Sequence, residues 1–157
     1  MNRGATAADI YVERSSASSV SLEENKIRST AHGVSMGVGI RVIAGTEVGY
    51  AYCDDLEPQA LKQAAGVAAS IAQGGGHNQP MHVKSCPVPN RYPIRVSPDT
   101  IAPAQKVELL RRGDPVAHAY DKRISQVMGS FSDSTKEILI ATSDGQLRDD
   151  KRTMCRL

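Results

Sequence analysis

Residues 37–56, GVGIRVIAGTEVGYAYCDDL, constrain the fold more than any other stretch of the chain. Their hydrophobic period is two. Met36, Val38, Ile40 and Val42 fall on one side, and Gly37, Gly39, Arg41 and Ile43 on the other. Ala44-Gly45-Thr46 then offers a reversal, after which Val48, Tyr50 and Tyr52 alternate with Gly49, Ala51 and Cys53. Successive side chains of a strand point to opposite faces, so this pattern predicts a β-hairpin. The competing reading of glycines beside β-formers is a phosphate-binding loop. Gly37-Val-Gly39-Ile-Arg-Val42 lacks the third glycine of a dinucleotide loop and the helix that must follow it, and no GxxxxGK[ST] occurs. Nucleotide binding is therefore not expected.

The hairpin runs into a helix. Asp54 or Asp55 reads as its N-cap, and Pro58 sits in the first turn, where a missing N–H costs little. Residues 57–73 place Leu61, Ala64, Ala65, Ala68, Ile71 and Ala72 on one face. A face made mostly of alanine can approach a sheet closely where the sheet also lacks bulk. Gly37, Gly39, Gly49 and Ala51 are expected to supply that surface, with the helix packed across it.

The flanking regions follow the same grammar. Residues 8–16 alternate as a strand with Ile10 and Val12 on one face, and Val20 and Leu22 alternate again. Glu24-Asn25 reads as a tight turn, because Asn tolerates positive φ, and residues 26–30 as the return strand. Gly74-Gly75-Gly76 ends the helix and opens a long connection carrying Pro80, Pro87, Pro89 and Pro93. A second helix is predicted near Pro103, with Val107 and Leu110 inward. Gly113-Asp114-Pro115 should kink it or split it into two short helices. Residues 124–132 and 136–143 read as strands, with Ser132-Asp133-Ser134-Thr135 as a turn between them. Asp144-Gly145 is a strong hairpin signal, and residues 146–157 begin a further strand whose edge would be unpaired at the last residue. The expected class is α+β: an extended, largely antiparallel sheet with two helical segments packed on one face.

Composition bounds function only loosely. The 157 residues suffice for one domain with a working core, at 40% hydrophobic and 23% charged. Aromatic residues make up 4%, so the core must rest on Val, Ile, Leu and Ala. A formal charge of +2 argues against nucleic acid or a membrane surface as partner, and Lys106, Arg111 and Arg112 read as a solvated helix face. No apolar run is long enough for a signal peptide or a membrane span. Three widely spaced cysteines, Cys53, Cys86 and Cys155, with no CxxC, suit a reducing cytoplasm and structural thiols.

Candidate chemistry is sparse. His77, His82 and Cys86 put three possible zinc ligands on one Pro-rich loop, but without the spacing of a standard structural site or a second ligand pair. His32 and His118 read as surface histidines near turns. Cys53 lies just before a helix N-terminus, where a thiolate is stabilised, yet its side faces the packed surface and a buried structural thiol is the simpler reading. Asp54 and Asp55 could act as paired carboxylates, but capping accounts for them. HExxH does not occur. No catalytic, cofactor-binding or metal-binding residue is expected on this chain.

The opening stretch, followed by its Ala-rich helix, resembles the N-terminal domain of the TldD/PmbA family, zinc metallopeptidases also described as modulators of DNA gyrase. GATAADIYVERS and SVSLEENKIRS resemble the family's early strands, KVELLRR its second helix, and EILIATSDGQLRDDKRTMCRL the sheet region that precedes its second domain. The likeness covers nearly the whole chain and is nearer to TldD than to PmbA. It implies a dimer, with itself or with a PmbA-like subunit, enclosing sites to which unfolded peptide is threaded. It also implies a zinc site made by a His-Glu-x-x-x-His helix and a distant cysteine in a C-terminal domain, and a leading helix before residues 9–13. The chain is accordingly expected to be residues 1–157 of an N-terminal domain truncated at both ends, with zinc in the intact family member and none here. Alone it should be inactive. The alternative is a non-catalytic interaction module acting on gyrase or a related partner.

Overall fold

The computed structural model describes residues 4–73 and 82–157. The elements in chain order are β1 (Ala7–Glu23), β2 (Lys26–Ala44), β3 (Glu47–Cys53), α1 (Pro58–Ile71), β4 (Lys84–Ser85), a 3₁₀ turn (Pro98–Thr100), α2 (Pro103–Arg111), α3 (Gly113–Tyr120), β5 (Met128–Thr142) and β6 (Gln146–Arg156). The strands form one mixed six-stranded sheet in the order β3-β2-β1-β5-β6-β4. β2 and β3 pair antiparallel, while the short β4 runs parallel to β6. The class is α+β, as the sequence pattern predicts. Gly74-Gly75-Gly76, expected to end the first helix, lies outside the described residues.

Three turns carry the connections. Glu24 and Asn25 have φ of 50° and 59°, the two positive values that a type I′ hairpin requires. Gly45 (φ 65°) and Gly145 (φ 89°) occupy the left-handed region that glycine enters without a Cβ penalty. Asp144 beside Gly145 accepts hydrogen bonds from Thr142 and then Gln146, which hold its carboxyl below the usual carboxylate range. That small contribution to the turn is present at neutral pH and is lost as pH falls through the lowered value.

The strands are longer than the sequence pattern suggests. β1 and β2 run unbroken for 17 and 19 residues, through the positions that read as separate segments. Likewise β5 is one 15-residue strand, and Ser132-Asp133-Ser134-Thr135 is not a turn but strand interior, with Asp133 and Thr135 buried. Ser, Asp and Thr favour turns by bonding nearby backbone. Here Asp133 finds partners far off in sequence, and the ladder prevails. The predicted break at Gly113-Asp114-Pro115 is the boundary between α2 and α3.

The chain divides into two compact units. The first comprises the described parts of Met1–Arg14, Met36–Asn90 and Glu137–Lys151. Its core joins Val38, Ile40, Val42 and Ala44 of β2 to Ala64, Ala68 and Ala72 of α1 and its C-cap, with Ala8, Ile10 and Val12 of β1 packed against them. Val42 pairs with Gly49 and Ile40 with Ala51, and paired residues share a face. Gly49 and Ala51 therefore lie under α1, as expected. Gly37 and Gly39 do not. They lie on the opposite face, where Gly39 pairs with Tyr52 and a Cβ at Gly37 would meet the Tyr52 ring, and one at Gly39 the Tyr50 ring. The side of β2 that meets the helix is its Val/Ile side. The register decides this: Gly49 and Ala51 pair with Val42 and Ile40, so Gly37 and Gly39 lie one position out of phase with them.

Two details of α1 also differ from expectation. Its N-cap is Glu57, with no side-chain cap, and Asp55 Oδ1 instead accepts from the Glu57 N–H at 2.9 Å. Asp55 thus shapes the approach to the helix, and neither it nor Asp54 is the N-cap. Ile71 points outward, because Ala68 and Ala72 already fill the contact. On the outer side, Gly66 sits mid-helix, and a Cβ added there would have nothing within 4 Å. Gly66→Ala is expected to stabilise the chain by about 0.5–1 kcal/mol, read by urea denaturation, since alanine restricts the unfolded chain and no atom opposes it.

The second unit comprises Ser15–Ser35, Arg91–Lys136 and Arg152–Leu157. Its interior holds Val20 and Leu22 of β1 together with Lys106, Asp133 and Thr135. Residues 26–36 of β2 are exposed throughout, and the register with β3 reaches back only to Val38. Among the described residues no helix is long and apolar enough to cross a membrane.

Candidate functional site

The most elaborate polar arrangement lies inside the second unit. Lys106 is one of the three cations expected on a solvated face, but it is 8% exposed, whereas Arg111 and Arg112 do face solvent. Its position on α2 aims the side chain at the sheet, where Nζ donates to Asp133 Oδ2 at 2.6 Å and to Ser18 Oγ at 2.9 Å. Ser18 Oγ donates in turn to the same Asp133 oxygen at 2.6 Å. The ammonium also stands 5.9 Å from the centre of the Phe131 ring. A buried charge is tolerated only when paired and hydrogen-bonded, and this one is both.

Serine, lysine and aspartate within hydrogen-bond reach invite comparison with a nucleophile and its base. The geometry assigns them another role. Asp133 accepts from both partners, so the Ser18 proton is directed at a carboxylate and the lysine donors are committed. The triad ties β1, α2 and β5 together. Nothing in the sequence pattern exposes it, because its members lie far apart in the chain and each is of a type that is ordinarily exposed.

The other candidates resolve separately. His77 lies outside the described residues. His82 is exposed, and Cys86 is half-buried at the end of β4, its N–H bonded to Leu147 O at 2.8 Å. Neither belongs to a group of three metal-ligating side chains among the described residues. Cys53 packs against the α1 core, with Sγ 3.5 Å from Asp55 O, in keeping with a structural thiol. Cys53, Cys86 and Cys155 are all free. His118 is not beside a turn but on α3, half-buried, with Nδ1 bonded to Ile124 O. His32 is exposed.

The family model described as PmbA/TldA metallopeptidase domain 1 matches residues 8–72, and that of the PmbA/TldA metallopeptidase central domain matches residues 96–157. A "Metalloprotease TldD homolog" of Haemophilus influenzae is 32% identical over 99% of this chain and 33% of its own length. Another of the same description, from Buchnera aphidicola subsp. Acyrthosiphon pisum, is 30% identical over 92% of the chain and 30% of its own length. Among solved structures, TldE from Thermococcus kodakarensis superposes with a TM-score of 0.68 at 24% identity, covering 96% of this chain and 34% of that one. A Thermotoga maritima protein described as a modulator of a DNA gyrase gives the same TM-score at 16% identity, with 95% and 33% covered. These likenesses show a shared fold, and the chain spans about a third of the length of the relatives it matches. The two domain matches leave little of the sequence unclaimed, and on them the chain belongs to the TldD/PmbA family.

Proposed function

We propose that this chain is a non-catalytic N-terminal part of a TldD-like metallopeptidase, and that it helps form the dimer and the enclosure in which an unfolded peptide is cut. The observation that carries this reading is the pairing of family membership with the absence from these 157 residues of any His-Glu-x-x-x-His. No His-Glu-x-x-x-His occurs to hold the catalytic zinc that the family name implies, so no hydrolytic step is assigned to any residue of the chain. The partner would be a second copy or a PmbA-like subunit. Residues 26–36, exposed along a strand, are suited to that contact, since an unpaired strand edge is a template for another chain. Free cysteines and near-neutral charge go with a cytoplasmic setting and with no nucleic-acid or membrane partner.

The test is direct. The purified chain, supplied with zinc and an unfolded protein substrate, is expected to cleave nothing and to run as a dimer, or to capture a PmbA-like subunit, by light scattering. Val34→Lys in the exposed stretch should return it to monomer. Cleavage by the chain refutes the non-catalytic reading, and a monomer that captures no such subunit refutes the dimer role. The description of the Thermotoga maritima neighbour favours one alternative, an interaction module for gyrase. Capture of purified gyrase by the chain, with no peptidase activity in the full-length protein, would select it.

A further inference from the structure

Three electron-pair donors converge in the second unit. Glu24 at the β1–β2 turn and Asp114 and His118 on α3 bring two carboxylate oxygens and one imidazole nitrogen within 4.8 Å of one another. Asp114 and His118 share a helix face because they stand four residues apart. His118 Nε2 lies 3.9 Å from Asp114 Oδ1, beyond hydrogen-bond range. The other ring nitrogen, Nδ1, is 3.0 Å from the Ile124 carbonyl oxygen. A carbonyl only accepts, so Nδ1 carries the proton, and in the neutral ring Nε2 is left as a lone pair on the side of the two carboxylates.

The carboxylates are held just as specifically. Asp114 Oδ1 is shut off from solvent and has no hydrogen-bond partner. A buried carboxylate oxygen without a donor is costly unless something positive meets it. Glu24 accepts the Val127 N–H through Oε1 at 2.9 Å, which orients the carboxylate and leaves its second oxygen available. Glu24 also occupies a left-handed backbone conformation, uncommon for a residue with a Cβ. Histidine oriented through its far nitrogen and carboxylate oriented by a backbone N–H are the outer contacts by which metal ligands are set in place.

We propose that Glu24, Asp114 and His118 form a site for one divalent transition-metal ion of the zinc class, pinning the β1–β2 turn to α3. The imidazole disfavours calcium and magnesium, which take oxygen ligands, and the two carboxylates balance the charge of the ion. Three protein ligands leave room for water. Asn25, Asp114 and Val127 also line an open hollow of about 410 Å³ in the same unit, so that the site borders it through Asp114. The site departs from the sequence expectation of no metal on this chain, because one ligand is remote in sequence from the other two. It is separate from the family's His-Glu-x-x-x-His helix, a motif that these 157 residues do not contain, and stands whether or not the peptidase reading does.

The test uses the 157-residue chain stripped by a chelator and titrated calorimetrically with zinc chloride. One ion per chain is expected, with micromolar or tighter affinity and a raised melting temperature. Glu24→Gln, which keeps an oxygen for Val127, and His118→Gln should each weaken binding about tenfold or more. His82→Ala with Cys86→Ala should leave it unchanged. In nitrogen-labelled wild-type chain, zinc should shift the His118 Nε2 resonance, a readout that does not depend on any variant folding. No saturable binding, an unmoved His118 resonance, calcium binding as tight as zinc, or loss of binding only with His82 and Cys86 would each overturn the site.

Discussion

Gly49→Ala is expected to cost about 2–3 kcal/mol of stability, the largest effect of any one-carbon change in the first unit. A Cβ at Gly49 would fall inside the carbonyl oxygen of Ala68 and 2.8 Å from the Ala72 nitrogen. Those are backbone atoms of α1 and its cap. They cannot swing aside, so the helix would have to lift from β2 and β3, opening the contact that buries Val38 and Ala68 completely. Interiors are packed too densely to absorb such a shift. Gly37→Ala is the matching control. Its Cβ would stand 2.6 Å from atoms of the Tyr52 ring, but that ring is 63% exposed and can rotate into solvent. It should cost less than about 1 kcal/mol. Urea denaturation of the two variants reads the difference, and equal costs would show that α1 does not ride over Gly49.

The second large effect belongs to the buried lysine. Lys106→Met and Asp133→Leu should each destabilise the chain by about 3–5 kcal/mol, because each leaves the other charge buried without its partner. Lys106→Met combined with Asp133→Leu should cost well below the sum, since both charges leave together and apolar groups fill the space. The coupling from that cycle is the decisive measurement. Additive costs would mean that the 2.6 Å contact between Lys106 and Asp133 contributes nothing of its own. Ser18→Ala removes one donor to Asp133 and should cost only about 1 kcal/mol.

These two predictions rest on features that differ in how well the sequence reveals them. Gly49 is legible, because period-two alternation assigns its face and the Ala-rich helix identifies what must come close. Gly37 and Gly39 would join it under the helix only with a three-residue reversal at Ala44-Gly45-Thr46, whereas Ala44 pairs with Glu47 and leaves two residues in the turn. Tyr50 and Tyr52 cover them instead, which the antiparallel register makes plain once it is known. Lys106 and Asp133 look, in sequence, like part of a solvated face and part of a turn. Each residue is of a type that prefers water, and only the other's presence makes burial tolerable.

The same distinction runs through the whole chain. Alternation, turn residues and an alanine face are local signals, carried by residues within one or two turns of each other. They suffice for the class, the hairpins at Glu24-Asn25, Gly45 and Asp144-Gly145, the helix split at Gly113, and the family. The Lys106–Asp133–Ser18 clamp and the convergence of Glu24 with Asp114 and His118 depend on which distant strand or helix comes alongside. A lone charge or histidine carries no mark of its future neighbour in its own stretch of sequence. Its energy is set by the partner that folding brings within a few ångströms, and that pairing exists only in three dimensions.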